Sequence, residues 1–114
     1  MSIVQQPAPP PIAHFTFSGD LDVFAARALR RDLVRASRAT CTDLRVDLGD
    51  VGFVDVSALG ELARAWSDLG THVGTTVSLV RASRPVRRLR AAAGLNQQLP
   101  DVPRPRLQVD PAGA

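Results

Sequence analysis

Residues 51–60 read VGFVDVSALG and contain the clearest secondary-structure signals of the sequence. A short apolar run, which predicts a strand, ends at Asp55. The helical pattern that follows has five apolar residues on one face: Leu59, Leu62, Ala63, Trp66 and Leu69. Asp55 is a suitable N-cap, so we expect a helix from about Ser57 to Leu69, with Gly70 as its C-terminal glycine and Trp66 in the core. The stretch therefore predicts a strand that leads directly into a helix.

A strand and a helix are also predicted before this stretch. The loose alternation of residues 12–17 is typical of a strand, which we expect to end in a turn at residues 18–20. Asp22 can cap a helix that runs to about Ser37. Its apolar face repeats at spacings of three and four: Ala26, Leu29, Leu33 and Ala36.

The order of the elements predicts a mainly parallel sheet. Residues 44–48 alternate as a strand before a turn at residues 49–50, and residues 75–80 (TTVSLV) are typical of a buried strand. The sequence Ser-Arg-Pro at 83–85 predicts the start of a third helix, which we expect to end at Gly94. Strands that alternate with helices indicate an α/β fold with right-handed crossovers.

The two ends of the chain differ from this pattern. Residues 1–11 hold four prolines and predict a flexible proline-rich tail, which leaves residues 12–110 as the domain. Residues 107–109 are the candidate for one short edge strand.

Composition excludes several classes of protein. With 114 residues the chain fits a single domain. The single cysteine, Cys41, offers neither a disulfide nor a zinc site, so we expect a cytoplasmic protein without a metal or other cofactor. We find neither a signal-peptide pattern nor a long uncharged apolar run, and we expect no membrane segment.

Arginine carries less functional information than usual in this sequence. All 14 basic residues are arginine, which resembles the codon bias of a high-GC bacterial genome, and the net charge is only +3. The arginine run of residues 81–90 has no interleaved aromatic residues, so we expect a solvated helix face rather than a nucleic-acid site. An acidic protein surface is the better functional alternative. The arginines of the first helix are interpreted in the same way.

Asp55 and Ser57 form the most promising site for chemistry. The start of a helix offers free backbone N–H groups and a positive dipole end, which would accommodate a phosphoryl group on Ser57. The alternative is an ordinary N-cap followed by a polar residue. A hydrolytic serine would need flanking glycines and a positioned histidine, whereas Val56 and Ala58 flank Ser57 and no motif surrounds His14 or His72. We therefore expect no enzyme.

Several phrases in order resemble the landmarks of the STAS family. They are SGDLD at 18–22, the strand at 44–48, FVDVSALG at 53–60, and SRPVRRL at 83–89 with AGL at 93–95. In that family a Gly-Glu/Asp-Leu-Asp turn opens the first helix and an Asp-Ser-Ser-Gly-Leu phrase opens the second. The similar region spans residues 17–95. The resemblance implies a STAS fold, with a mainly parallel or mixed sheet of about four strands covered by three or more helices.

The resemblance also implies a function. Members that stand alone are commonly anti-sigma factor antagonists, which bind an anti-sigma factor that is also a GHKL-type serine kinase and thereby regulate transcription. A PP2C-type phosphatase would fit the reverse reaction. By this resemblance Ser57 is the phosphorylation site. The implied partner surface is Asp20, Asp22, Asp55, Val56, Ser57, Ala58, Leu59 and Glu61.

The sequence departs from the family pattern at two positions. Val56 stands where many members have serine or threonine, and Ala58 stands where most have glycine. An adaptor that is not phosphorylated, as a subunit of a signalling or lipid-transport complex, is therefore the alternative function. Members also commonly have an extra first strand and a fourth helix, which the proline-rich ends do not predict here.

Overall fold

One mixed sheet organises the fold. The computed structural model describes residues 2–6, 12–39 and 43–102. Its strands are β1 (Ser2–Gln6), β2 (Ile12–Leu21), β3 (Asp43–Val54) and β4 (Thr76–Ala82), and they lie in the order β1-β2-β3-β4. β1 is antiparallel to β2, whereas β2, β3 and β4 are parallel.

Three α-helices complete the described chain: α1 (Val23–Arg38), α2 (Val56–Asp68) and α3 (Arg84–Ala92). Each follows the carboxyl end of a parallel strand after a single capping residue, Asp22, Asp55 or Ser83. The predicted α/β class, the number of strands and the three helices are confirmed.

The N-terminal tail prediction is wrong for Ser2–Gln6. These residues form β1, which pairs with β2 from Ser2–Ser18 to Gln6–His14. The segment contains Ile3 and Val4, and Ile3 packs against the core. Pairing with β2 therefore buries apolar surface that an extended tail would leave in water. The prolines begin only after the strand, and residues 7–11 lie outside the described residues. The extra first strand of the family is therefore present.

The turns predicted at residues 18–20 and 49–50 are also wrong, because both strands continue through them. β2 runs on to Leu21 with two register shifts, and Gly19 takes a φ of 108°, which suits glycine. β3 continues to Val54 past Gly49, where a Cβ atom would lie 2.6 Å from Cζ of Arg81. Glycine thus marks bulges and close approaches in this sheet rather than chain reversals.

The predicted C-terminal glycine of α2 is wrong as well. Gly70 lies inside a π-helical turn, Leu69–Val73, that continues directly from α2. Gly74 ends this turn with a φ of 75°, and its N–H group donates to the carbonyl oxygen of Leu69. The left-handed residue comes four positions later than predicted because the wider turn adds residues before the chain leaves the helix.

The core lies between the sheet and the helices. Alternate residues of β2 and β3 point into it, and Trp66 is 5% exposed, which confirms the prediction that it belongs to the core. The largest fully buried side chains include Phe15, Phe17, Leu21, Leu29, Leu33, Leu44, Leu48, Leu59, Leu62 and Leu79.

A buried carboxylate links α1 to α2. Glu61 is 9% exposed, and its two oxygens accept hydrogen bonds from Arg64 and Arg30, both at 3.1 Å. Arg30 also donates to Asp68 at 2.7 Å. The hydrogen bond from Arg64, together with that from Arg30, holds the pKa of Glu61 below its ordinary value, although burial acts in the opposite direction.

Arg90 departs from the predicted solvated face of α3. It is 8% exposed, and its Nη1 donates to the carbonyl oxygen of Leu99 and to Asp101, both at 2.9 Å. Arg84, Arg87 and Arg88 are exposed as predicted. The segment that Arg90 holds then bonds to β4, since Leu79 N–H donates to Pro100 and Val102 N–H donates to Leu79, both at 2.8 Å. Cys41 and the predicted strand at 107–109 lie outside the described residues.

Substitution of Glu61 by glutamine should weaken the fold in a pH-dependent way. Because the pKa of Glu61 is lower in the folded chain than in the unfolded chain, its contribution to the free energy of unfolding is complete above the unfolded pKa of 4.5. That contribution is lost as the pH falls through the folded pKa. Urea midpoints should therefore differ more between wild type and Glu61→Gln at about pH 7 than at about pH 3.

Asp32→Asn is the matched control for this measurement, because Asp32 forms an exposed pair with Arg35 within α1. Its midpoint should stay near that of wild type at both pH values. A difference in urea midpoint between wild type and Glu61→Gln that does not change with pH would contradict the role of the ionised carboxylate.

Substitution of Arg90 by leucine should release the segment beside β4. The carbonyl oxygen of Leu99 then loses the buried donor that the Arg90 guanidinium group supplies. The amides of Leu79 and Val102 should therefore exchange their hydrogens faster. Amide exchange measured by NMR checks this, with Arg88→Leu as the exposed control. Equal acceleration throughout β2 would instead indicate global destabilisation and would contradict a local role.

Candidate functional site

The carboxyl ends of β2 and β3 lie side by side and bring two helix N-termini together. Asp20 pairs with Phe53 and Leu21 pairs with Val54 at the end of the parallel ladder. The N–H group of Asp55 donates to the carbonyl oxygen of Leu21 at 3.4 Å, which ties the two strand ends to each other. α1 and α2 therefore begin next to each other at one edge of the sheet.

Two aspartates fix the starts of these helices. Asp22 Oδ1 accepts a hydrogen bond from the N–H group of Ala25, and Asp55 Oδ1 accepts one from Ala58, both at 2.8 Å. Both residues have the extended backbone of an N-cap, as predicted for them. Each carboxylate satisfies a free N–H group and lies at the positive end of a helix dipole.

Ser57 is the second residue of α2 and is exposed to solvent. It follows Val56, which is 56% exposed, and lies two residues after the Asp55 cap. A hydroxyl in this position can accept a phosphoryl group without opening the core. Free N–H groups in the first turn of a helix, together with its dipole, favour such an anion.

The structure brings together five of the eight residues predicted for the partner surface. Asp20, Asp22, Asp55, Val56 and Ser57 lie at the same edge of the sheet, and three of them are exposed: Asp20, Val56 and Ser57.

The other three residues lie inside the fold. Ala58 and Leu59 are 0% exposed, because the apolar face of α2 turns them into the core, so their side chains are not available to a docked protein. Glu61 is buried and already paired with Arg30 and Arg64. The predicted contact of these three residues with a partner is corrected to a structural role.

Two exposed aromatic residues that were not predicted from the sequence lie at the same edge. Phe24 in the first turn of α1 is 72% exposed, and Phe53 near the end of β3 is 53% exposed. With Val56 they form what we call the apolar rim. A helical projection of α1 would have found Phe24, since it falls outside the face of Ala26, Leu29 and Leu33. Phe53 has no such signal, because strand alternation places it with buried Val51.

Neither histidine is positioned to activate Ser57. His72 lies in the π-helical turn after α2, and the 13-residue helix separates it from Ser57 by roughly 18 Å or more. His14 lies on β2 opposite Gln6 and Arg45, seven residues before the end of that strand, which is roughly 23 Å at the usual rise. The arrangement therefore offers no nucleophile and base pair at this serine.

The described ranges, residues 2–6, 12–39 and 43–102, also contain no group of three or more His, Cys, Asp or Glu residues arranged to hold a metal ion. Among the helices in those ranges, none combines the length and the apolar character needed to cross a membrane.

Several solved structures share this fold. The anti-sigma factor antagonist SpoIIAA in its unphosphorylated form superposes with a TM-score of 0.71 at 19% identity, over 90% of this chain and 89% of that chain. An anti-sigma factor antagonist from Mycobacterium paratuberculosis gives a TM-score of 0.70 at 24% identity, over 90% and 87%. The murine anion transporter Slc26a9 gives 0.64 at 20% identity, over 76% of this chain but 14% of that chain. At these identities the likeness establishes the fold.

The sequence itself identifies the family. A search of curated protein sequences gives no significant match. A model of the STAS domain matches residues 4–109, which includes β1 from its third residue, all three N-capped helices and the Ser57 junction. The match thus extends beyond the similar region of residues 17–95 to nearly the whole chain, and the chain belongs to the STAS domain family.

Proposed function

We propose that this protein is an anti-sigma factor antagonist whose docking surface is the apolar rim around Ser57, and that phosphorylation of Ser57 turns docking off. The observation that carries the proposal is an exposed hydroxyl at a helix start with three exposed apolar side chains at the same edge of the sheet. Two solved structures of the same fold are anti-sigma factor antagonists, which supports the proposal.

The unphosphorylated surface suits an apolar partner. Phe24, Phe53 and Val56 each leave half or more of their surface in water, so covering them with a partner gains hydrophobic free energy. Ser57 follows Val56 at the start of α2 and adds a neutral hydroxyl, which costs little free energy to cover. Large aromatic side chains in the centre of an interface are the residues that most often dominate binding.

Phosphorylation reverses this balance. A phosphoryl group on Ser57 brings about 1.5 to 2 negative charges next to Asp55 and close to Asp20. A partner that covers the apolar rim would have to remove water from these charges and offer no cation in return. The dipole of α2 stabilises the same phosphate, so the modification changes the surface while the helix stays folded.

The remaining components follow from this mechanism. The partner is an anti-sigma factor of the GHKL-type serine kinase class, which phosphorylates Ser57, and a PP2C-type phosphatase restores the hydroxyl. The unphosphorylated protein thereby releases a sigma factor for transcription in the bacterial cytoplasm. The protein stores a signal and catalyses no reaction itself.

An adaptor that is never phosphorylated is the second candidate. Val56 in place of serine or threonine is the observation that favours it, because it makes the surface more apolar and removes a second hydroxyl. The same fold also occurs as a small part of the anion transporter Slc26a9. In this case the apolar rim would hold a partner in an assembly, such as a signalling or lipid-transport complex, without a switch.

Substitution of Ser57 by aspartate should abolish binding of the kinase-type partner. The partner would be isolated with the wild-type protein from its native cells, where mass spectrometry would locate phosphate on Ser57. In titration calorimetry, Ser57→Asp should bind about tenfold more weakly or worse, because the partner would have to bury a carboxylate where it covers a neutral hydroxyl in the wild type. Ser57→Ala should keep its affinity and resist phosphorylation.

Ser67→Asp is the matched control, since Ser67 is exposed on the same helix far from the junction. It should bind as wild type does. If Ser57→Asp also binds every partner as wild type does and no phosphate is found on Ser57, the switch is wrong and the adaptor function takes its place.

Substitution of Phe24 or Phe53 by serine should weaken the same complex without unfolding the protein. Both side chains are mostly exposed, so the melting temperature should stay near that of wild type while the affinity falls about tenfold or more. Val80→Ser is the control, because Val80 is 45% exposed on β4 and outside the rim. Equal losses from Val80→Ser and the rim variants would show that the rim has no special role.

A further inference from the structure

A row of arginines runs along the outer face of α1. Arg27, Arg31 and Arg38 are spaced four and seven residues apart, which places them within an arc of about 40° and spans about 16 Å of helix. All three are exposed. In the part of the chain that the structure describes, none of them forms an ion pair, whereas Arg30 and Arg35 on the same helix do. We call these three residues the arginine row.

A groove with an apolar floor opens beside the end of this row. It lies between α1 and the π-helical turn and has a volume of about 280 Å³. Its apolar lining consists of Val34, Ala65, Leu69 and Val73. Arg38 and His72 stand among the residues around it, and Val73 leaves 51% of its surface exposed.

A second groove continues the first one across α1. Its volume is about 300 Å³, and it shares Arg30, Val34 and Arg38 with the first groove while extending to Arg31 and Arg35. The two together form a channel with Val34 and Arg38 in the middle, cations along one side and apolar side chains at the π-helical end. We call it the α1 channel.

We propose that the α1 channel binds an acidic amphipathic helix of a partner protein. Carboxylates on one side of such a helix would pair with the arginine row, and an apolar side chain beside them would enter the groove at Val34 and Leu69. The row spans about three helical turns, which matches the contact length of a short docking helix.

The chemistry of the channel selects this occupant over a nucleic acid. A phosphate backbone offers no apolar side chain for the floor of the groove, and no Phe, Tyr or Trp lines the described channel to stack a base. Asp68 also lines the groove, next to Arg30, where it would repel a continuous run of phosphates. A helix can avoid this carboxylate by placing an apolar residue there.

The channel lies close to the surface proposed for docking. Arg27 follows Phe24 by three residues on α1, so the arginine row begins one turn away from the apolar rim. One partner can therefore cover the rim with an apolar surface and reach along α1 with an acidic helix. The inference rests on the proposed function only where it assigns both contacts to the same partner.

A designed peptide tests the channel directly. The probe is a fluorescent 15-residue peptide of glutamate and leucine, with the leucines on one helical face, titrated into the full chain at low salt. We expect saturable binding, with NMR shifts confined to residues 27–38 and 69–73. The double variant Arg31→Glu/Arg38→Glu should weaken binding about tenfold or more, since it replaces two attractions by repulsions.

The double variant Arg84→Glu/Arg88→Glu is the matched control, because it changes the net charge equally on the exposed face of α3. It should alter the affinity less than about threefold. Equal weakening by both double variants, equal binding of a scrambled peptide of the same composition, or absence of saturable binding would each overturn the proposal.

Failure of this inference can be distinguished from failure of the proposed function. Ser57→Asp should leave the affinity for the peptide unchanged, because Ser57 lies outside the α1 channel. If the row variants weaken peptide binding but Ser57→Asp does not affect the natural partner, the channel stands and the switch fails. If Ser57→Asp weakens binding of the natural partner but the row variants do not weaken peptide binding, the switch stands and the channel fails.

Discussion

Parallel pairing of β2 with β3 is the constraint on which the site depends. It brings both strand ends to one edge of the sheet, and the hydrogen bond from Asp55 N–H to the carbonyl oxygen of Leu21 fixes the register of the two ends. Because each strand leads into a helix after one capping residue, two helix N-termini open at that edge. The exposed Ser57 therefore occupies a position set by the sheet itself, and no flexible loop has to place it.

The same geometry separates the surface into regions of different charge. Asp20, Asp22 and Asp55 make the helix starts acidic, whereas the arginine row makes the outer face of α1 basic. The caps satisfy free N–H groups, and the ion pair of Glu61 with Arg30 links α2 to α1. A charge added at Ser57 would therefore lie at a helix start whose backbone is held by its cap.

Much of the fold could be predicted from the sequence because periodicity and caps are local signals. Asp22, Asp55 and Ser83 marked the three helix starts correctly, and the apolar face of α2 placed Trp66 in the core. The errors arose where the same local signal is compatible with two structures, a turn or a continuous strand. Glycines at 19 and 49 looked like turns but lie in continuous strands, since pairing with neighbouring strands outweighs the local preference. Neither the burial of Glu61 and Arg90 nor the exposure of Phe53 was predicted, because these depend on tertiary neighbours.

The two departures from the family phrase have separate physical meanings. Ala58 is 0% exposed, so its methyl group fills core space beneath the cap where glycine would leave a gap and loosen the first turn of α2. Val56 points into solvent beside Ser57, and its isopropyl group joins Phe24 and Phe53 in the apolar rim. One change therefore stiffens the helix that carries the hydroxyl, and the other makes its surroundings more apolar. An added charge at Ser57 would be more costly to cover in such surroundings, so Val56 is compatible with the proposed switch as well as with the adaptor.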